Sequence, residues 1–138
     1  MEPAFPTPAS LLPHRPPHLL VSRVVSLGAD TLVAEFDTVP DDVSGHFPGA
    51  PVIPGVWMIE GLAQSLACFA RLTGMTGTAM LAGVERVRFR RPVVPPACLS
   101  YEVEVTDRRF GLTQAKGRVR VDGTVVCTAE LSVFLAEG

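Results

Sequence analysis

The stretch from residue 54 to residue 73, PGVWMIEGLAQSLACFARLT, decides how this chain folds. It is apolar on nearly every face of a helix, which predicts a helix buried on all sides. Pro54 stands where helices tend to begin, and Gly74 stands where they tend to end. Glu60 is the only acidic residue in this stretch, so a carboxyl group is predicted in apolar surroundings.

The segments on both sides of the predicted helix have the character of β-strands. Residues 19–27 and 31–38 precede the helix, with Gly28-Ala29-Asp30 as the turn between them. Later strands are predicted around residues 78–89, 99–106, 115–121 and 125–135, and Asp122-Gly123 is a two-residue hairpin signal. One long buried helix among about six strands predicts an α+β fold, in which a curved antiparallel sheet wraps round the helix. The hot-dog fold has this form, and pairing of its exposed sheet edges favours an oligomer.

Composition is typical of a compact globular protein. The 138 residues suit one domain, with residues 1–17 as a proline-rich arm over the surface. Hydrophobic residues make up 47% and charged residues 19% of the chain, which argues against disorder. The net charge of −2 predicts no broad attraction to nucleic acid. No apolar run approaches the ~18 residues that a membrane span needs, and Met1–Ser10 lacks the pattern of a secretory signal.

The three cysteines, Cys68, Cys98 and Cys127, lie far apart and form no CxxC pair. We therefore expect neither a disulfide framework nor a zinc site, and interpret them as free thiols that fill apolar space in a cytoplasmic protein. No histidine lies close to any of them in sequence, which disfavours a catalytic cysteine.

Residues 39–54 contain four prolines and two glycines, too many for regular structure, and form the longest candidate loop. His46 lies in this loop within GHFPG, where the neighbouring glycines and proline are expected to fix its direction. Because burial disfavours an ionised carboxyl, His46 and Glu60 form a plausible acid–base pair near neutral pH. Alternatively, His46 is an ordinary loop residue and Glu60 pairs with Arg71 or Arg86.

The start of the predicted helix adds a third chemical element. Its first N–H groups have no partner within the helix, and the helix dipole is positive there. Gly55 allows another molecule to approach this backbone closely. A carbonyl oxygen placed there would be polarised as in an oxyanion hole.

Several stretches follow one another in the order of one known family. They are LPHR (12–15), LLV (19–21), GHFPG (45–49), PGV (54–56), IEGLAQ (59–64), AG (82–83), RFR (88–90) and PVVP (92–95). Together they resemble the bacterial 3-hydroxyacyl-[acyl-carrier-protein] dehydratases of the FabZ type, from about residue 11 to residue 131.

The resemblance implies a hot-dog homodimer, often a trimer of dimers, with His46 and Glu60 of one site on different subunits. It implies that His46 takes the proton from C2 of a 3-hydroxyacyl group, while Glu60 assists departure of the C3 hydroxyl. Which group moves which proton is left open. Gly55 and the adjoining backbone at Val56 would hold the thioester oxygen, and Phe47 belongs to the same site. Acyl carrier protein is the implied partner, and the elimination requires no metal or other cofactor.

Two further residues belong to the implied site. Gln64 lies one turn beyond Glu60 on the same helix face, where it either orients Glu60 by a hydrogen bond or fills the interface. Trp57 stands where the family usually has a smaller aliphatic residue, and its bulk could shorten or bend the acyl tunnel. Ser22, His18 and Pro96-Ala97 also depart from the family pattern, which suggests a specialised member.

Arg86, Arg88 and Arg90 alternate along a predicted strand and would share one face. They form either a landing patch for the acidic carrier protein or a solvated face that blunts a sheet edge. Arg91, Arg108 and Arg109 are further candidates for the landing patch.

Two other functions suit the same pattern. A hot-dog thioesterase would use the helix and its oxyanion site for attack by water, and a non-catalytic subunit would bind carrier protein without turnover. The presence of both His46 and Glu60 argues against a non-catalytic subunit. Dehydratases that also isomerise the double bond typically carry an aspartate at the helix position, so Glu60 favours dehydration alone.

Overall fold

The computed structural model describes residues 5–136; the first four residues of the predicted arm lie outside this range. Its helices are α1 (Pro8–Leu11) and α2 (Gly55–Leu72), with a 3-10 helix at Pro40–Val43. Its strands are β1 (Arg23–Leu27), β2 (Thr31–Asp37), β3 (Thr78–Phe89), β4 (Cys98–Arg109), β5 (Leu112–Val121) and β6 (Thr124–Ala136).

The strands form one antiparallel sheet in the order β1-β2-β4-β5-β6-β3. Helix α2 contacts all six of them, and every residue from Gly61 to Ala70 is buried. In β4, Leu99, Tyr101 and Val103 point into this core, as strand alternation requires. The predicted α+β arrangement, one helix enclosed by an antiparallel sheet, is confirmed.

Two glycines let α2 lie close to the sheet. A Cβ atom on Gly117 of β5 would lie 2.8 Å from Cδ1 of Leu62, closer than side chains normally approach. A Cβ atom on Gly61 of α2 would overlap the ring of Tyr101. At each of these two contacts one element carries no side chain, so the side chain of the other element lies against its backbone.

Most predicted boundaries agree with the structure, and the exceptions are short or irregular segments. The Asp122-Gly123 hairpin is confirmed: φ is +50° and +80° at these residues, as a type I′ turn requires. Strand β1 begins at Arg23 and not at residue 19, because the backbone at His18 and Leu20 bonds to Gln64 of α2. The prediction of no regular structure in 39–54 is wrong for Pro40–Val43, which is too short to show a helical period.

Strand β3 lies at one edge of the sheet and is unusually apolar for an exposed edge. Met80, Leu81, Val87 and Phe89 are all exposed in the single chain. Such an edge is expected to pair or to be covered. Among the helices of residues 5–136, none has the length and apolar character needed to cross a membrane.

Candidate active site

His46 is held in a fixed direction by a tight loop. Its backbone N–H donates to the Val43 carbonyl at 2.9 Å, and its own carbonyl accepts from Val52 N–H at 2.7 Å. The side chain is held as well, since Nδ1 lies 2.8 Å from the Val52 carbonyl oxygen. A carbonyl oxygen can only accept, so Nδ1 carries the hydrogen and Nε2 is left with its lone pair. The Phe47 ring stacks on the imidazole with centroids 4.1 Å apart.

His46 lines a cavity of about 490 Å³ that also reaches the start of α2. Gly55 and Val56 line this cavity, as do Phe89, Arg90 and Arg91. Pro54 provides no side-chain cap, so the first N–H groups of α2 lack a side-chain acceptor. The Phe89 ring packs over Gly55, where an added Cβ would lie 2.8 Å from Cε1. The predicted neighbours His46, Gly55 and Val56 therefore meet in one cavity.

Glu60 lies one turn further along α2 and opens onto a different, much smaller cavity of about 20 Å³. Its side chain is 42% exposed in the single chain, so the predicted burial is wrong for this chain alone. Within the described residues, neither Arg71 nor Arg86 pairs with Glu60. Arg86 forms an ion pair with Glu130, and Arg71 is exposed in the last turn of α2. The small cavity is lined by Glu60, Gln64, His14, Ala63, Ala67, Ala79, Leu81 and Val133.

Gln64 is buried and uses both ends of its amide. Its Nε2 donates to Glu60 Oε1 at 3.1 Å and to the His18 carbonyl at 2.7 Å, while Oε1 accepts from Leu20 N–H at 2.8 Å. Gln64 thus connects Glu60 to the segment before β1. Of the two roles considered, this geometry favours orientation of Glu60 over simple filling.

Within one chain, His46 and Glu60 line separate cavities. Both cavities touch β3 or its end, since Phe89 lines the first and Leu81 lines the second. A second copy paired along the exposed edge of β3 would approach both. That His46 and Glu60 from two subunits form one site therefore stays a prediction.

The remaining predicted residues lie partly outside these cavities. Trp57 is half-buried against the core and is not among the described residues that line the His46 cavity, so its effect on acyl length stays a prediction. The prediction that Arg86, Arg88 and Arg90 share one strand face is wrong, because a register shift follows Glu85 and Arg86 has φ +52°. Arg90 lies beyond the end of β3 in the His46 cavity.

Residues outside the predicted pair also bear on the chemistry. Cys68 and Cys127 are buried, but Cys98 is exposed at the first position of β4, so the prediction that all three fill apolar space is wrong for Cys98. Residues 5–136 contain no group of three or more His, Cys, Asp or Glu side chains placed to bind a metal. Sequence reasoning gave no role to His14, although LPHR was one of the stretches that carried the resemblance.

Residues 12–130 match the family described as the FabA-like domain. The chain belongs to this family. Its FabA-like domain is 43% identical over 135 residues to the 3-hydroxyacyl-[acyl-carrier-protein] dehydratase FabZ of Anaeromyxobacter sp. (strain K), covering 92% of this chain and 86% of that protein. It is 39% identical over 138 residues to the FabZ of Helicobacter acinonychis (strain Sheeba), with 92% and 87% coverage. The predicted resemblance to FabZ-type dehydratases is confirmed.

Solved structures support the fold of this FabA-like chain. The dehydratase heterocomplex ApeI:P from Xenorhabdus doucetiae superposes with a TM-score of 0.86 at 18% identity, over 96% of this chain and 93% of that one. The E. coli PaaI protein superposes with a TM-score of 0.67 at 12% identity, over 81% of each chain. At these identities the likeness bears on the hot-dog fold alone.

Proposed function

We propose that this protein removes water from 3-hydroxyacyl groups carried on acyl carrier protein, giving trans-2-enoyl thioesters in fatty-acid or related acyl-chain biosynthesis. The FabZ relatives support the reaction. The observation that carries the proposal is the His46 ring, which is held through Nδ1 by the Val52 carbonyl and lines a cavity at the start of α2. An imidazole in this tautomer is prepared to accept a proton.

His46 acts as the base in the proposed elimination. Its Nε2 takes the proton from C2 of the acyl chain, and the electron pair of that C–H bond forms the C2–C3 double bond. The hydrogen bond from Nδ1 to the Val52 carbonyl stabilises the imidazolium that forms, because the positive ring donates more strongly.

Glu60 of the partner subunit acts as the acid. It gives a proton to the C3 hydroxyl, the C3–O bond breaks, and water leaves. His46 then returns the C2 proton to solvent and Glu60 takes one up, so no redox group or metal is consumed. This role is supported by the hydrogen bond from Gln64, which holds the Glu60 carboxyl group in place.

The start of α2 stabilises the charge that develops on the thioester oxygen. Loss of the C2 proton pushes negative charge onto that oxygen, and the free N–H groups at Gly55 and Val56 lie at the positive end of an 18-residue helix. The Phe89 ring packs over Gly55 beside this position.

The carrier protein is proposed to dock beside the mouth of the His46 cavity. Arg90 and Arg91 line that cavity and are exposed, so they can meet acidic groups of the carrier. Arg86 and Arg88 extend the basic surface along β3, although Arg86 is already bound to Glu130. The proposal includes a homodimer, which the resemblance extends to a trimer of dimers, and a cytoplasmic location suited to free thiols.

The test is turnover of a ladder of 3-hydroxyacyl carrier-protein substrates by His46→Ala and Glu60→Gln variants. Each variant should lose about 10²- to 10⁴-fold in kcat, as expected when a general acid or base is removed. Glu104→Gln, an exposed glutamate on β4, is the matched control and should keep its rate. Release of free thiol without enoyl product would identify a thioesterase instead, and tight carrier binding without turnover a non-catalytic subunit.

A further inference from the structure

His14 lies beside the carboxyl group of Glu60, although the mechanism above gives it no part. Its Nε2 is 3.7 Å from Glu60 Oε1, and both side chains line the same small cavity. This separation is longer than a hydrogen bond, but it leaves no room for a water molecule between the two groups. The two residues therefore interact directly.

The surroundings of the His14 imidazole determine which of its two nitrogens carries the hydrogen. Nδ1 of His14 is buried and has no hydrogen-bond partner within the described part of the chain. A hydrogen there would be a buried donor without an acceptor, and the Nε2 lone pair would then face a carboxylate oxygen. With the hydrogen on Nε2, the ring donates towards the carboxyl oxygen, and only the lone pair of Nδ1 is left buried without a partner. His14 thus presents an N–H group to Glu60.

His14 and Gln64 reach the same oxygen of the carboxyl group. Gln64 Nε2 donates to Oε1 at 3.1 Å, and Oε1 is also the atom nearest to His14. Oε1 accepts a hydrogen bond from Gln64 and lies within ion-pair distance of His14, and the two contacts together restrict rotation of the carboxyl group. Oε2 is left as the oxygen that neither of these side chains holds.

The backbone around His14 is fixed from both sides. The Arg15 guanidinium donates to the carbonyl oxygens of Leu12 at 2.9 Å and His14 at 2.6 Å, and Leu12 itself is buried. Further along, Gln64 binds the backbone of His18 and Leu20. The segment therefore holds the imidazole against α2 without help from its buried Nδ1.

We propose that His14 is a positioning residue that binds Oε1 of Glu60 and thereby directs Oε2 at the C3 hydroxyl of the substrate. This inference rests on the proposed acid role of Glu60. His14 acts through Glu60 and does not touch the substrate, so its loss slows the chemical step while substrate binding is preserved.

The experiment compares His14→Leu with His14→Gln in the full-length oligomeric enzyme. Leucine fills the space without a donor, whereas the glutamine amide can place an N–H near the position of Nε2. His14→Leu should lower kcat about 10- to 100-fold with KM changed less than about twofold, as for a displaced catalytic group. His14→Gln should recover most of that loss. Arg71→Gln, which removes an exposed cation from the end of the same helix, is the control and should keep wild-type kcat.

The Glu60→Gln background separates this inference from the proposed function. In that background His14→Leu should cause little further loss, because the group that it positions is already absent. If Glu60→Gln alone keeps the wild-type rate, the acid role is wrong. If Glu60→Gln is inactive but His14→Leu keeps its kcat, only the role of His14 is overturned. A raised KM and a lowered Tm with unchanged kcat, or no recovery with glutamine, would also overturn it.

Discussion

Tyr101 is the largest fully buried side chain in the described structure, and its hydroxyl group has no hydrogen-bond partner there. Burial raises the pKa of the Tyr101 phenol above its ordinary value of 10.0, and the negative charges of Cys98 and Glu60 raise it further. The ring thus contributes apolar packing, while its hydroxyl is an uncompensated polar atom.

Tyr101→Phe should therefore leave the free energy of unfolding at pH 7 unchanged or increase it. Above about pH 10 the unfolded chain releases the phenol proton while the folded chain retains it, so wild-type stability falls as pH rises. The free energy of unfolding of Tyr101→Phe should fall less steeply over that pH range. Urea unfolding at pH 7 and pH 10.5 measures both effects. A loss of several kcal/mol at pH 7 would mean that the hydroxyl has a partner.

The three cysteine thiols differ in exposure, and we expect their reactivity to differ accordingly. Burial raises the pKa of Cys68 to about 12 and that of Cys127 to about 11, so both stay protonated and covered at neutral pH. Cys98 is exposed, although burial and the nearby carboxylates of Glu35 and Asp37 also raise its pKa. An aromatic disulfide reagent should titrate one thiol in the native protein and all three in denaturant. Labelling of Cys98→Ser should be nearly abolished in the native state.

At the scale of elements, the close approach of α2 to the sheet depends on glycines, which have no side chain. Gly61 faces the Tyr101 ring, and Gly117 faces Leu62. Sequence reasoning identified the helix correctly but had no means of seeing these contacts. A helical glycine is costly in isolation, and only the position of β4 explains why one is tolerated here.

Gly61→Ala should destabilise the protein by about 1–3 kcal/mol, because the added methyl overlaps a buried ring that has no free space to enter. Thermal and urea unfolding measure the change. Gly45→Ala is the matched control, since a Cβ there meets nothing within 4 Å. Combining Gly61→Ala with Tyr101→Leu should cost less than the sum of the two single changes. Strict additivity would show that the two residues do not meet.

At the scale of the whole molecule, one chain does not bring His46 and Glu60 into one cavity. The cavities of His46 and Glu60 are distinct, and the apolar edge strand β3 runs beside both. Two-fold pairing of chains would give two equivalent sites, each with one group from each subunit. The proposed mechanism therefore makes a quantitative prediction about mixed oligomers.

Co-expression of His46→Ala and Glu60→Gln chains should restore activity that neither variant has alone. With random pairing, half of the dimers are mixed and one of their two sites is intact, so about a quarter of wild-type activity is expected. The doubly substituted chain co-expressed with Glu60→Gln provides the control, because no dimer in that mixture contains an intact site. Absence of recovery in a verified mixed dimer would place both groups on one chain.

The sequence by itself determined the central helix, most strand positions and the hairpin at Asp122-Gly123, because these follow from local periodicity and turn chemistry. It also predicted His46, Glu60 and Gln64 as site residues, since their types and spacing are visible in one dimension. Only the tertiary structure decided that His14 meets Glu60, that a bulge interrupts the arginine alternation, and that Cys98 is exposed. These facts depend on which distant segments pack together, and the free energy of such contacts arises only when the sheet closes round α2.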